Sequence, residues 1–100
     1  MELLYVGQVL VHPFVIGELA LVKLRQRDII LGNLRVLPHA SVAAYDELLD
    51  FVERRRLFQF RIGYVDAHLL AATQLTAGAT LWTHDKALRF AAKTLGLTNS

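Results

Sequence analysis

The chain of 100 residues contains no cysteine, only two prolines and no long uninterrupted apolar run. Without cysteine the protein cannot form disulfides, use a catalytic thiolate or bind zinc through thiolates, and we expect it in a reducing compartment, the cytoplasm. Charged residues interrupt the apolar segments before the ~20 residues that a membrane-spanning helix needs, so we expect no membrane partner. The first residues also lack the basic region and cleavage site of a signal peptide.

Several motifs of common enzyme classes are missing as well. The sequence has no glycine-rich phosphate loop, no Walker motif and no Gly-x-Ser-x-Gly elbow, which disfavours nucleotide hydrolases and serine hydrolases. What is present is a high apolar content of 54% without repeats, low-complexity tracts or flexible linkers. Residues 1–100 therefore predict a single domain.

Short apolar strands alternate with amphipathic segments along the chain. The pattern predicts strands at 8–12, 41–43 and 79–83, and helices at about 13–24, 27–37, 46–57, 65–75 and 86–95. Strands that alternate with helices are typical of an α/β fold with a mostly parallel sheet and helices on its faces.

Three carboxylates should meet at one edge of this sheet. Asp66 begins a helix, Asp85 follows the next strand, and a helix runs antiparallel to the strand that it leads into, so the two should be neighbours. Glu18 lies in an otherwise apolar helix, where a buried carboxylate needs a partner. Three oxygen donors suit Mg²⁺ or Mn²⁺. The alternatives are a helix-start charge for Asp66, an N-cap for Asp85 and an exposed position for Glu18.

Four segments closely resemble PIN-domain ribonucleases of the VapC toxin type, in order and in spacing, over essentially the whole chain. They are His12-Pro13-Phe14-Val15-Ile16-Gly17-Glu18-Leu19-Ala20, then Asp46-Glu47 with Glu53-Arg54-Arg55-Arg56-Leu57, then Ile62-Gly63-Tyr64-Val65-Asp66-Ala67-His68-Leu69-Leu70-Ala71, and Leu81-Trp82-Thr83-His84-Asp85-Lys86-Ala87-Leu88.

The resemblance implies a PIN-like fold of three layers, α/β/α, and a metal-dependent endoribonuclease that is the toxin of a toxin–antitoxin pair. Glu18, Asp66 and Asp85 match three acidic positions that bind Mg²⁺ or Mn²⁺ in the family. Thr83 matches the hydroxyl residue that accompanies them and could orient a ligand or a water molecule. The implied partners are an RNA substrate and a cognate antitoxin protein.

One departure from the family pattern is important. The family normally begins with a central strand that ends in Asp-Thr or Asp-Ser and supplies the first metal-binding aspartate, and no segment here matches it. Residues 1–7 instead resemble the end of the first helix, with Gly7 as its C-cap, which would leave Glu2 far from the site. The fold is therefore expected to lack its first central strand and most of its first helix. Uncovered apolar surface and unpaired strand edges then favour a homodimer.

Basic and aromatic residues outside the acidic set have two interpretations each. The second half of the chain has seven basic and three acidic residues. The arginines of this half could bind the phosphates of an RNA backbone. Alternatively, they are solvated residues at the end of a helix, where positive charge interacts favourably with the helix dipole. Trp82 lies in a predicted strand and is expected to pack in the core rather than to serve as a base-stacking platform. The phenylalanines could dock an antitoxin helix or fill the core. These arginines and phenylalanines are Arg54, Arg55, Arg56 and Arg61, and Phe51, Phe58 and Phe60.

The missing aspartate motivates an alternative function. The chain could be a catalytically impaired PIN-like binding module that docks an antitoxin or pairs with another chain. A metal-binding measurement would separate this module from an enzyme.

Overall fold

A computed structural model describes residues 1–99 and confirms the α/β class. Three short strands and five helices follow one another along the chain. They are β1 (Leu3–Tyr5), β2 (Val9–Leu10), α1 (Pro13–Ala20), α2 (Arg27–Arg35), α3 (Tyr45–Arg55), α4 (Tyr64–Leu75), β3 (Thr80–Trp82) and α5 (Lys86–Thr94), with a 3₁₀ turn at Leu57–Gln59 between α3 and α4.

The sheet has the strand order β2-β1-β3, and both pairings are antiparallel. The prediction of a mostly parallel sheet is therefore wrong. For β1 and β2 the physical reason is their short connection, because a parallel pair needs a crossover of about a dozen residues or more. One parallel bridge does form, between Val11 and His39, and α1 and α2 lie in its connection.

The amino-terminal segment differs from the prediction of a helix end. Leu3–Tyr5 is the central strand, and the chain turns back at Gly7, whose φ is +71°. A positive φ favours glycine in a turn as much as at a helix C-cap. The predicted strand at 41–43 is also absent from the described structure, although Ala40 N–H donates to the Val11 carbonyl at 2.9 Å just before it.

Helix starts agree with the sequence signals better than helix ends do. Pro13 opens α1, and the Phe14 N–H donates to His12 Nδ1 at 3.0 Å, which satisfies one of the free amides of the first turn. The helix ends at Ala20, earlier than predicted. Asp46 and Glu47 lie in the first turn of α3, where the positive end of the helix dipole stabilises negative charge.

One hydrophobic core joins the sheet to the helices. Leu4 and Leu81 are neighbours in the β1–β3 register and are buried, and they pack with the buried face of α4 at Leu69 and Leu70. The opposite face of the same strands is open: Tyr5 and Trp82 are exposed. Across residues 1–99, no helix is long and apolar enough to cross a membrane.

Candidate active site

Asp66 is a partly buried carboxylate on which the charges of three other carboxylates act. It occupies the first turn of α4, where its Oδ2 accepts a long hydrogen bond of 3.5 Å from the Gly63 N–H. Partial burial raises the pKa of Asp66, and the negative charges of Asp85, Glu2 and Glu18 raise it further, whereas the Gly63 hydrogen bond acts in the opposite direction. The charges of Asp85, Glu2 and Glu18 therefore act on Asp66, and a cation site formed with Asp85 and Glu18 stays a prediction.

Asp85 reaches this edge as the N-cap of α5. Its Oδ1 accepts a hydrogen bond of 2.9 Å from the Leu88 N–H, and its own N–H donates to Thr83 Oγ1 at 3.1 Å. These two bonds fix the position of the residue at the end of β3. The second carboxylate oxygen, Oδ2, takes no part in them and remains available to a ligand.

Glu2 is the residue that sequence reasoning missed. The register pairs Leu3 with Trp82, which brings the preceding Glu2 beside the following Thr83, and the Thr83 hydroxyl donates to Glu2 Oε2 at 3.2 Å. A helix over residues 1–7 would have held Glu2 away from this edge. The available signal was a pair of short apolar runs on either side of Gly7, which is a hairpin pattern.

Glu18, like Asp85, is more exposed than Glu2 and Asp66, which are partly buried. It is exposed on α1, so the cost of burying a lone carboxylate does not arise for it. Its charge is close enough to raise the pKa of Asp66. Glu18 therefore borders the group from the α1 side.

The donor chemistry of this group fits a hard divalent cation, since all four side chains offer carboxylate oxygen. The mutual repulsion at Asp66 is also what a cation would relieve. As the side chains stand, however, no three histidine, aspartate or glutamate residues within 1–99 are arranged to hold a metal ion. Binding of a cation here would therefore require the carboxylates to turn towards one another.

The four arginines proposed for RNA binding lie elsewhere and have different environments. Arg54 forms an ion pair of 3.0 Å with Asp50, one turn earlier on α3. Arg55 donates to Gln74 Oε1 and to the Leu95 carbonyl, both at 3.3 Å. The Arg56 guanidinium lies 5.3 Å from the centre of the Phe58 ring. Arg61 is exposed.

The three phenylalanines considered for antitoxin docking also differ in their exposure. Phe51 is buried in the core, whereas Phe58 is 63% exposed. Phe60 is partly buried, and its ring packs edge-on against Phe90 at 6.1 Å. Core packing therefore accounts for Phe51, and Phe58 is the member that is open to a partner.

Two buried histidines lie next to this edge without belonging to the carboxylate group. The rings of His12 and His68 are 6.1 Å apart, and Phe14 packs edge-on against both. Burial lowers the pKa of both, and that of His12 falls to about 4 with a further contribution from His68. Both rings are therefore neutral near pH 7. His12 Nε2 and His68 Nδ1 are buried without a hydrogen-bond partner.

Comparison with known proteins identifies relatives of this chain. The chain is 46% identical to Ribonuclease VapC32 of Mycobacterium tuberculosis, strain CDC 1551 / Oshkosh, over 86 residues, which are 86% of this chain and 69% of that protein. The protein of the same name from strain ATCC 25618 / H37Rv gives the same values. No protein-family model and no solved structure matches the chain. At this identity and coverage, the chain belongs to the family of VapC ribonucleases.

Proposed function

We propose that this protein is a metal-dependent endoribonuclease that hydrolyses RNA phosphodiesters at the edge formed by Asp66, Asp85, Glu18 and Glu2. The observation that carries the proposal is that the negative charges of Asp85, Glu2 and Glu18 act on Asp66, in a member of a ribonuclease family. Asp66, Asp85 and Glu18 would hold Mg²⁺ or Mn²⁺, and Glu2 adds a fourth carboxylate. When bound, such cations lower the pKa of a water molecule and neutralise charge on the phosphate under attack.

The chain's own residues would position this chemistry. The Thr83 hydroxyl orients Glu2 and accepts the Asp85 N–H, so one side chain ties two of the carboxylates together. Asp85 is held by its N-cap hydrogen bond and keeps its second oxygen for a ligand. Glu18 is exposed and can turn towards the edge. With water as the attacking group, no side chain has to act as a nucleophile.

The family relationship also supports proposals about fold and partners. We expect the PIN-like three-layer arrangement, a toxin role with a cognate antitoxin as partner, a homodimer and a cytoplasmic location. Apolar side chains at the end of α1 and along α2 are open to such partners, with Leu21 at 89% and Ile29 at 61% exposure. Arg54, Arg55, Arg56 and Arg61 remain the proposed contacts to the RNA backbone.

A cleavage assay with a charge-neutral variant tests the proposed activity. Asp85→Asn keeps the N-cap acceptor for the Leu88 N–H and removes the negative charge. We expect Mg²⁺- or Mn²⁺-dependent cleavage of single-stranded RNA to fall by at least about 100-fold, since even residues that only support metal ligands often contribute 10–100-fold. Asp66→Asn should have the same effect.

Asp46→Asn is the matched control, because Asp46 also lies in the first turn of a helix but on α3. It should cleave at nearly the wild-type rate. Undiminished cleavage by Asp85→Asn and Asp66→Asn would remove these residues from the proposed site.

A binding module without catalysis is the second candidate. It is favoured by one observation: within residues 1–99, no three donors are already arranged around a metal position. The thermal midpoint of unfolding separates the two candidates. An enzyme of this kind should be stabilised by millimolar Mg²⁺ or Mn²⁺ through Asp85, and Asp85→Asn should abolish the shift. No shift together with no cleavage would favour the binding module.

A further inference from the structure

Two aromatic rings form a platform on the open face of the sheet. Tyr5 and Trp82 stack with ring centres 5.4 Å apart and planes 23° from parallel. Trp82 is 50% exposed, so the expectation that it packs in the core is wrong. The Trp82 indole N–H donates to Thr80 Oγ1 at 3.2 Å. The stacking and the hydrogen bond together fix the orientation of the indole ring.

A groove of about 320 Å³ runs beside this platform. Trp82, Thr83, His84 and Arg89 line it, whereas Tyr5 does not. The indole therefore stacks on Tyr5 on one side, and Trp82 also lines the groove. Thr83 joins the groove to the carboxylates, because its hydroxyl binds both Glu2 and the Asp85 N–H. A chain that passes along the groove would reach the proposed site of cleavage.

The helix beside the groove carries positive charge only. Lys86, Arg89 and Lys93 follow one another at intervals of three and four residues on α5, which puts them on one face of the helix. None of them is in an ion pair: the two ion pairs of the described part of the chain involve Arg27 and Arg54. These cations are therefore available to phosphate groups.

We propose that the groove is a nucleobase subsite, in which a base of single-stranded RNA stacks on Trp82 while Arg89 contacts the backbone next to the scissile phosphate. The inference rests on the proposed ribonuclease function and adds the residue that holds the substrate strand. Stacking on an aromatic ring beside a basic surface is how proteins commonly hold single strands.

A second copy of the chain suits the groove less well. In a two-fold dimer the same surface meets itself, so the cations of α5 would approach their own symmetry mates. RNA offers instead an aromatic base and negative charge, and both are complementary to what lines the groove.

The chain's single tryptophan makes the subsite directly observable. In EDTA, where cleavage is blocked, a short single-stranded oligoribonucleotide should quench Trp82 fluorescence in a saturable manner. An abasic oligonucleotide of equal length and charge should bind about 5- to 150-fold more weakly, which corresponds to the loss of one stacked base. Equal binding and equal quenching by the abasic oligonucleotide would overturn the proposal. So would a fluorescence change that follows protein concentration rather than RNA.

Variants give a second measurement through the anisotropy of labelled RNA. Trp82→Leu should lose affinity by the same factor, Trp82→Phe should keep most of it, and both should show native circular dichroism. Tyr45→Leu is the matched control, since Tyr45 is 65% exposed but does not line the groove. Wild-type affinity in Trp82→Leu would refute the subsite.

Cleavage assays distinguish this failure from failure of the proposed function. Quenching by RNA without any metal-dependent cleavage would support the subsite and contradict the enzyme. Cleavage without quenching would retain the enzyme and overturn the subsite.

Discussion

Asp85 and Asp66 each bind the start of a helix with one carboxylate oxygen, at the edge proposed to hold a cation. The interpretations of Asp85 as an N-cap and Asp66 as a helix-start charge are therefore both correct. They are compatible with a catalytic role, because a carboxylate has a second oxygen. Residue types and spacing indicated which side chains to consider, but a sequence cannot show which oxygen of a carboxylate is already occupied.

His12 gives the protein a pH-dependent stability. It is fully buried, and its pKa is lowered from 6.5 to about 4 by burial first and then by His68. Between these two values the unfolded chain takes up a proton that the folded chain does not. The free energy of unfolding therefore falls as the pH decreases through this range and rises as the pH increases. The difference amounts to roughly 3 kcal/mol below about pH 4.

His12→Asn should at least halve this pH dependence. Asparagine can still accept the Phe14 N–H at the N-cap position, and it does not titrate. Urea unfolding at several pH values between about 4 and 7 measures the slope. His39→Asn is the control, because His39 is exposed and its replacement should leave the slope unchanged. A wild-type slope in His12→Asn would show that His12 is not its source.

At the scale of elements, the central position of β1 has the largest consequence for the site. Leu3–Tyr5 lies between β2 and β3, and its pairing with β3 brings Glu2 to Thr83. The helices were predictable because each has local signals, such as Pro13 at the start of α1. The strand pairing was not, because β1 meets β3 across more than seventy residues of chain, and no local pattern encodes such a partner.

Two glycine substitutions test the hairpin. Gly7→Ala should destabilise the protein by roughly 1–2 kcal/mol, because φ is +71° at Gly7 and a side chain is strained there. Gly17→Ala is the control: Gly17 lies in α1 without a positive φ, and an added Cβ meets nothing within 4 Å. It should stabilise by about 0.5–1 kcal/mol. Chemical denaturation measures both. A neutral Gly7→Ala would contradict the turn conformation.

At the scale of the whole molecule, the basic second half of the chain is partly used for internal contacts. Arg54 pairs with Asp50, and Arg55 joins α3 to α4 and to the segment after α5. Arg56 and Arg61 remain exposed. Together with the cations of α5, they are the charges best placed to attract a polyanion over distance.

The salt dependence of RNA affinity tests whether the exposed arginines contact phosphate groups. If Arg56 and Arg61 each contact a phosphate, the double variant Arg56→Ala/Arg61→Ala should flatten the slope of log K against log salt by about 1.4. Fluorescence anisotropy in EDTA measures the slope. Arg27→Ala is a matched control on α2, because Arg27 binds the Ala20 carbonyl and lies 3.8 Å from Asp28. An unchanged slope in the double variant would remove both arginines from the RNA-binding set.

The sequence by itself determined the α/β class and the helix starts, because these follow from local periodicity and capping residues. The tertiary structure alone decided the antiparallel sheet, the position of Glu2 and the exposure of Trp82. Each of these depends on which distant segment pairs with β1 and on which face of the sheet the helices cover, and both are settled by packing of the whole chain.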